Sequence, residues 1–168
     1  MAERKKKSKS AAETAAAQQP EEKIVAPKVI TGESYKGAVF EHVNLDGAVF
    51  NAGNLYCVAV IGSNFDQTRI EQCSMQSAQF RNMGMKNASF QAVDLHSAVF
   101  SNADMCDCKV MHLDMSGSGY AHVSLNNSQF ENCTFIGSVF NGCDWKNCTI
   151  EGVPVYDLLA AYRELHKN

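Results

Sequence analysis

The sequence predicts an all-β solenoid, a chain wound around one axis with a short extended piece on each side. Three observations carry this reading. A large apolar residue recurs at every fifth position from Phe40 to Ile150, 23 in all, without a slip in phase. A second column of small or modest residues sits two positions earlier, as at Ala38, Val43, Ala48, Val58, Ala78, Ala88 and Ala98. The other three positions of each unit are mostly Asn, Asp, Ser, Gln, Gly, Glu and Lys.

Neither regular element alone can use a period of five. Five residues advance an α-helix by about 140°, which would scatter the apolar residues around its circumference. On a flat strand an odd spacing sends successive apolar residues to opposite faces. The chain must therefore turn a corner inside each unit, so that every fifth side chain points the same way. The spacing of two between the columns is strand-like, so both face inward from one extended piece. Met83 and Leu113 are bulky exceptions in the small column.

Taken in chain order, residues 1–23 read as a basic, Ala-rich tail. The options there are a solvated, disordered segment or a basic arm touching an anionic partner. Residues 24–36 read as a short strand or strap that caps the first coil. Val25, Ile30 and Tyr35 keep the phase, but Lys23, Lys28 and Glu33 occupy the small column. The coil is therefore expected over residues 37–155. Beyond it the period changes. Val155, Leu158, Leu159, Tyr162 and Leu165 have helical spacing, with Asp157 as the expected N-cap. A helix over 156–168 is too short to stand alone. It is expected to cap the last coil, to contact a second copy, or to do both.

Composition narrows the function classes. No run of 18 or more apolar residues exists, so no membrane span is expected. The charged N-terminus has no apolar stretch behind it, which argues against a secretory signal. Of the seven cysteines, Cys73, Cys108, Cys133, Cys143 and Cys148 fall in the small inward column, while Cys57 and Cys106 face out. They read as packing residues of a reducing cytoplasm, with no disulfide, metal or redox role. His42, His96, His112 and His122 sit at outward positions on separate units. No nucleophile motif, phosphate loop or zinc-protease motif is present. No catalytic residue, cofactor or metal is expected.

Units such as AVFEH, VNLDG, AVFNA, SNFDQ, AQFRN, ASFQA, VDLHS, SQFEN and CDWKN resemble those of the pentapeptide-repeat family. The resemblance covers residues 37–155. It implies a right-handed quadrilateral β-helix with four units, or 20 residues, per coil, and about six coils. At ~4.8 Å per coil the rod is about 29 Å long. The resemblance also implies a partner: members of the family that resemble DNA in size and charge bind type II topoisomerases, notably DNA gyrase, and some protect it from quinolones or peptide toxins. Some members also pair through the C-terminal helix.

On that coil the charges are uneven. Residues 37–157 hold 12 acids and 5 bases, a net of −7, while residues 1–30 hold 7 bases and 4 acids, a net of +3. Twenty-residue offsets stack Asp46 on Asp66, Asp94 on Asp114 and Glu131 on Glu151. With Asp104 and Asp144 they form the candidate partner-binding acidic ladder. These carboxylates also suit the turn at each corner. The expected function is a non-enzymatic macromolecular interaction scaffold in a bacterial cytoplasm. The alternative is an acidic DNA mimic that binds gyrase or another type II topoisomerase. Either way the partner is a protein, with no direct nucleic-acid or membrane contact.

Overall fold

A computed structural model describes residues 29–32 and 34–166. They form a parallel β-solenoid of about six coils followed by one helix. The strands alternate between two sheets. One holds β1 (Val29–Thr31), β3 (Val49–Asn51), β5 (Arg69–Glu71), β7 (Ser89–Gln91), β9 (Lys109–Met111), β11 (Gln129–Glu131), β13 (Thr149–Ile150) and β14 (Val153–Pro154). The other holds β2 (Val39–Glu41), β4 (Ala59–Ile61), β6 (Gln79–Gly84), β8 (Val99–Asp104), β10 (Gly119–Ala121) and β12 (Val139–Asn141). Every parallel pair is offset by 20 residues, as in Phe50↔Ile70 and Phe80↔Phe100.

The remaining two sides are ladders of single bridges with the same offset. One runs from Asn44↔Asn64 to Ser124↔Asp144, and the other from Ser34↔Asn54 to Asp114↔Thr134. The coil thus has four sides and a repeat of 20 residues, so the period of five is one side. The large column fills the interior. Phe50, Phe65, Phe80, Phe90, Phe100, Tyr120 and Phe130 are all buried, and Phe80, Phe100, Tyr120 and Phe140 stack at centroid spacings of 4.5, 5.0 and 4.4 Å. Offset stacking of this kind adds to the area each ring removes from water.

The small column also has a hydrogen-bonding role. Thr68, Ser118 and Ser128 donate their hydroxyls to the carbonyls of Leu45, Leu95 and Met105, at 3.1, 2.6 and 2.6 Å. Each acceptor lies 23 residues back, in the coil below. The Cys108 thiol makes the same contact to Met85 at 3.0 Å. Met83 and Leu113 are buried despite their bulk.

The corner itself belongs to one position. Every fifth residue from Gly32 to Gly152 has a positive φ, between 52° and 74°. This left-handed residue turns the chain from one side to the next. Glycine and asparagine adopt it readily, whereas Ala52, Ala92, Gln67 and Gln72 do so at a steric cost.

Two boundaries differ from the sequence expectation. The ladder does not begin at residue 37, because Val29–Thr31 already pairs with Val49–Asn51 and Ser34 bridges Asn54. Ile30 is buried there, so the large column suffices to seat the end coil. Lys28 and Glu33, whose bulk in the small column argued for a strap, lie outside the described residues, as does the tail over 1–23. At the other end the parallel ladder stops at Ile150 rather than running to Val155. Glu151 and Gly152 both have positive φ, the requirement of a two-residue type I′ turn, and β14 folds back antiparallel onto β13. The helix α1 then spans Val155–Leu165. Its N-cap is Pro154 with no side-chain cap, and Asp157 lies within the first turn instead of capping it. The extended backbone that proline imposes ends β14 and starts the helix one residue earlier than expected.

Candidate interaction surfaces

The four sides carry different chemistry. Asp46, Asp66, Asp104 and Asp144 lie on the bridged side that begins at Asn44, together with Asp107. Asp94 and Asp114 lie on the opposite bridged side and are directly bridged to each other. Glu131 and Glu151 belong to the side of the odd-numbered strands, Glu151 within the turn that ends it. The eight candidate carboxylates therefore form three groups on three sides and not one ladder.

Most of these carboxylates also have local work. Asp94, Asp104, Asp114 and Asp144 accept the amide two residues on, from His96 (3.0 Å), Cys106 (3.2 Å), Ser116 (2.9 Å) and Lys146 (3.3 Å). Asn44, Asn54 and Asn64 do the same for Asp46, Tyr56 and Asp66. This turn needs a side-chain oxygen and no charge. The remaining contacts join coils. Asp66 accepts the Lys86 amide at 2.8 Å, Asp46 the Gln67 side chain at 3.3 Å, Asp144 the Asn126 side chain at 2.9 Å, and Glu151 the Asn132 amide. Gln76 donates to Asp94.

Some charge is offset in place. Lys86 Nζ lies 3.0 Å from Asp104. Burial works against the Asp104 carboxylate, but hydrogen bonds from Cys106 and Lys86 outweigh it and hold its pKa below the ordinary range. Asp114 is held low by the hydroxyl and amide of Ser116.

The side of the even-numbered strands is almost free of charge. Up to the corner, beyond which β6 and β8 run on into the next side, it presents Val39, Ala59, Ile61, Val99, Ala121 and Val139, with Glu41 and Arg81 as its charged residues. At two of its corners a histidine ring lies over the backbone of the next coil. A Cβ added to Gly62 or Gly142 would fall 2.7 or 2.8 Å from the ring of His42 or His122. Glycine is favoured there twice over, by the positive φ and by the space the ring takes up.

The C-terminal end is apolar. Phe135, Phe140, Trp145 and Ile150 of the last coil and Val155, Leu158 and Leu159 of α1 line a cleft of about 380 Å³. Ile136 and Val139 of the last coil and Tyr162 and Leu165 of α1 are exposed. The sequence singled out the helix residues of this surface but not Ile136, which occupies an ordinary outward position in the repeat.

No group of three or more His, Cys, Asp or Glu side chains that could hold a metal ion occurs among the described residues. No helix among them is long and apolar enough to cross a membrane.

Residues 83–157 match the model of a pentapeptide repeat region. No curated protein sequence matches the chain. Among solved structures, the pentapeptide repeat protein Rfr23 from the cyanobacterium Cyanothece 51142 aligns with a TM-score of 0.50 at 11% identity, over 73% of this chain and 90% of its own. A pentapeptide repeat protein from the Arabidopsis thaliana thylakoid lumen aligns at 23% identity, over 79% of this chain and 74% of its own, with a TM-score of 0.27. QnrB1, a plasmid-mediated fluoroquinolone resistance protein, aligns at 14% identity over 74% and 82%, with a TM-score of 0.37. The chain thus contains a pentapeptide repeat region over residues 83–157, and the same unbroken phase and four-sided coil continue upstream of it.

Proposed function

We propose that the protein is a non-enzymatic scaffold for macromolecular contacts, and that two copies pair through the C-terminal end. The observation that carries this is the apolar terminal cleft, lined in part by Leu158 and Leu159, together with the exposed Tyr162 and Leu165 of the same helix. Large contiguous apolar patches on soluble proteins mark contact sites. A two-fold pairing would set the same patch against itself, as isologous dimers do. The seven free cysteines fit a reducing compartment, which supports a cytoplasmic setting. The test is the mass in solution before and after removal of residues 156–168. A fall from two chains to one supports the pairing, and one-chain mass for both forms rejects it.

A second reading is an acidic mimic that engages the DNA-binding surface of gyrase or another type II topoisomerase. It is favoured by the alignment of Asp46, Asp66, Asp104, Asp107 and Asp144 on one side of the rod. Gyrase supercoiling, titrated with the protein, tests it.

A further inference from the structure

The apolar stripe of α1 is seated at one end only. Val155, Leu158, Leu159, Tyr162 and Leu165 stand at helical offsets of 0, 3, 4, 7 and 10 and share one face. Their exposure climbs along the helix, at 6% for Val155, 42% and 40% for Leu158 and Leu159, 62% for Tyr162 and 82% for Leu165. Such a gradient describes a lever raised from a pivot. The pivot is Val155, whose side chain is buried and whose amide donates to the Cys148 carbonyl at 3.0 Å. The terminal cleft is the wedge between the raised lever and the last coil. Its floor is Phe135, Phe140, Trp145 and Ile150, and its roof is Leu158 and Leu159.

Neither half of the wedge is comfortable alone. An isolated helix of 11 residues is marginal in water, and most helical stability comes from packing an apolar face. The last coil leaves Phe135, Phe140, Trp145 and Ile150 only partly covered, unlike their counterparts Phe80, Phe90 and Phe100 further down the stack. Floor and roof are apolar, so bringing them together removes both surfaces from water. No side-chain cap fixes the start of the helix, so the swing leaves the helix without a cap to lose.

We propose that α1 is a two-position cap. It pivots about Val155 to close on the last coil of its own chain, with Tyr162 added to the roof, and the raised position is the form that receives a second helix. The inference deepens the pairing read above by naming what regulates that end. An unpaired chain hides the patch by closing, and pairing competes with closure.

Trp145 is the single tryptophan and lies on the floor of the wedge, so it reports the cap directly. Acrylamide quenching of Trp145 would be measured on the full chain, diluted until light scattering gives the mass of one chain. The comparison is with Tyr162→Ala and with a chain ending at residue 155. Tyr162 does not line the wedge in the raised position, and it is exposed, so its loss leaves the coil folded. Closure predicts a several-fold rise in quenching for Tyr162→Ala, approaching the truncated chain. Quenching unchanged by Tyr162→Ala overturns the proposal, because a raised helix keeps Tyr162 away from the floor. A two-chain mass at every dilution also overturns it while leaving the pairing intact. A one-chain mass at every concentration, with the Tyr162→Ala effect present, keeps the closure and removes the pairing.

Discussion

At the corner of each unit one residue is held at positive φ, and the side chains found there differ widely in what that costs. Ala92 is exposed, has a φ of 52°, and has no side-chain group to bond its own turn. An L-residue in this region loses roughly 1–2 kcal/mol, which asparagine recovers in part through local hydrogen bonds. Ala92→Asn is therefore expected to raise stability by about 1 kcal/mol, read as a higher urea midpoint with an unchanged m-value. A second residue-scale consequence concerns Asp114. Its folded pKa lies below the ordinary carboxylate value, so its contribution is present above about pH 4 and is lost as pH falls through the folded pKa. Asn54 shows that an amide makes the same turn. Asp114→Asn should thus keep the fold at neutral pH. The difference in thermal midpoint from the native chain should shrink as pH drops below about 4. A difference independent of pH would place the Asp114 effect elsewhere. Tyr120 breaks the pattern, since its buried hydroxyl has no hydrogen-bond partner among the described residues, the nearby Ser118 hydroxyl being donated to the Leu95 carbonyl.

At the scale of the element, the small column ties coil to coil with thiols and hydroxyls alike. Burial pushes the Cys108 and Cys148 thiols up to about 12, while Cys57 is exposed at a corner. A maleimide pulse on the native protein, mapped by mass spectrometry, should label Cys57 first. Cys73, Cys108 and Cys148 should react only with unfolding, because the reactive thiolate is scarce and the interior closed. Early labelling of Cys108 would contradict its place in the stack. The two columns were readable in the sequence because burial imposes them on every unit, from Phe40 to Ile150. The corner column was not separated from the other outward positions in the sequence, although glycine and asparagine recur in it at Gly47, Gly62, Asn82, Asn87 and Asn102. Alanine, glutamine and histidine at other corners blurred it, since the backbone geometry there is imposed by coil closure and not by local preference. The turn at Glu151–Gly152 was hidden for a related reason. Gly152 sits where any corner glycine would, so the reversal into β14 has no signature of its own.

Across the whole molecule the net charge of the rod is less informative than its distribution. The side bearing Asp46, Asp66, Asp104, Asp107 and Asp144 also carries Lys86 and Lys146, so five acids less two bases leave −3. Among the described residues the opposite side, with Asp94, Asp114 and Lys36, carries two acids less one base, or −1. The side of the even-numbered strands is neutral, with one acid and one base in Glu41 and Arg81. Three charges over a rod of about 29 Å stand roughly 10 Å apart, about one Debye length at physiological ionic strength. Duplex DNA carries one charge per ~1.7 Å. A contact made through this rod would therefore draw on a single side, and salt would weaken it steeply. The grouping of the carboxylates was already computable from the 20-residue repeat, whereas the Lys86–Asp104 pair that dilutes the stronger side was not. These features make the topoisomerase reading a test of direction. In a supercoiling titration, Asp46→Asn, Asp66→Asn and Asp144→Asn together should abolish any inhibition seen with the native chain. Asp94→Asn with Asp114→Asn should leave it largely intact, and raising salt should mimic the triple substitution. Equal loss from both sets would mean that total charge matters and the side does not, and no inhibition by the native chain would remove this reading.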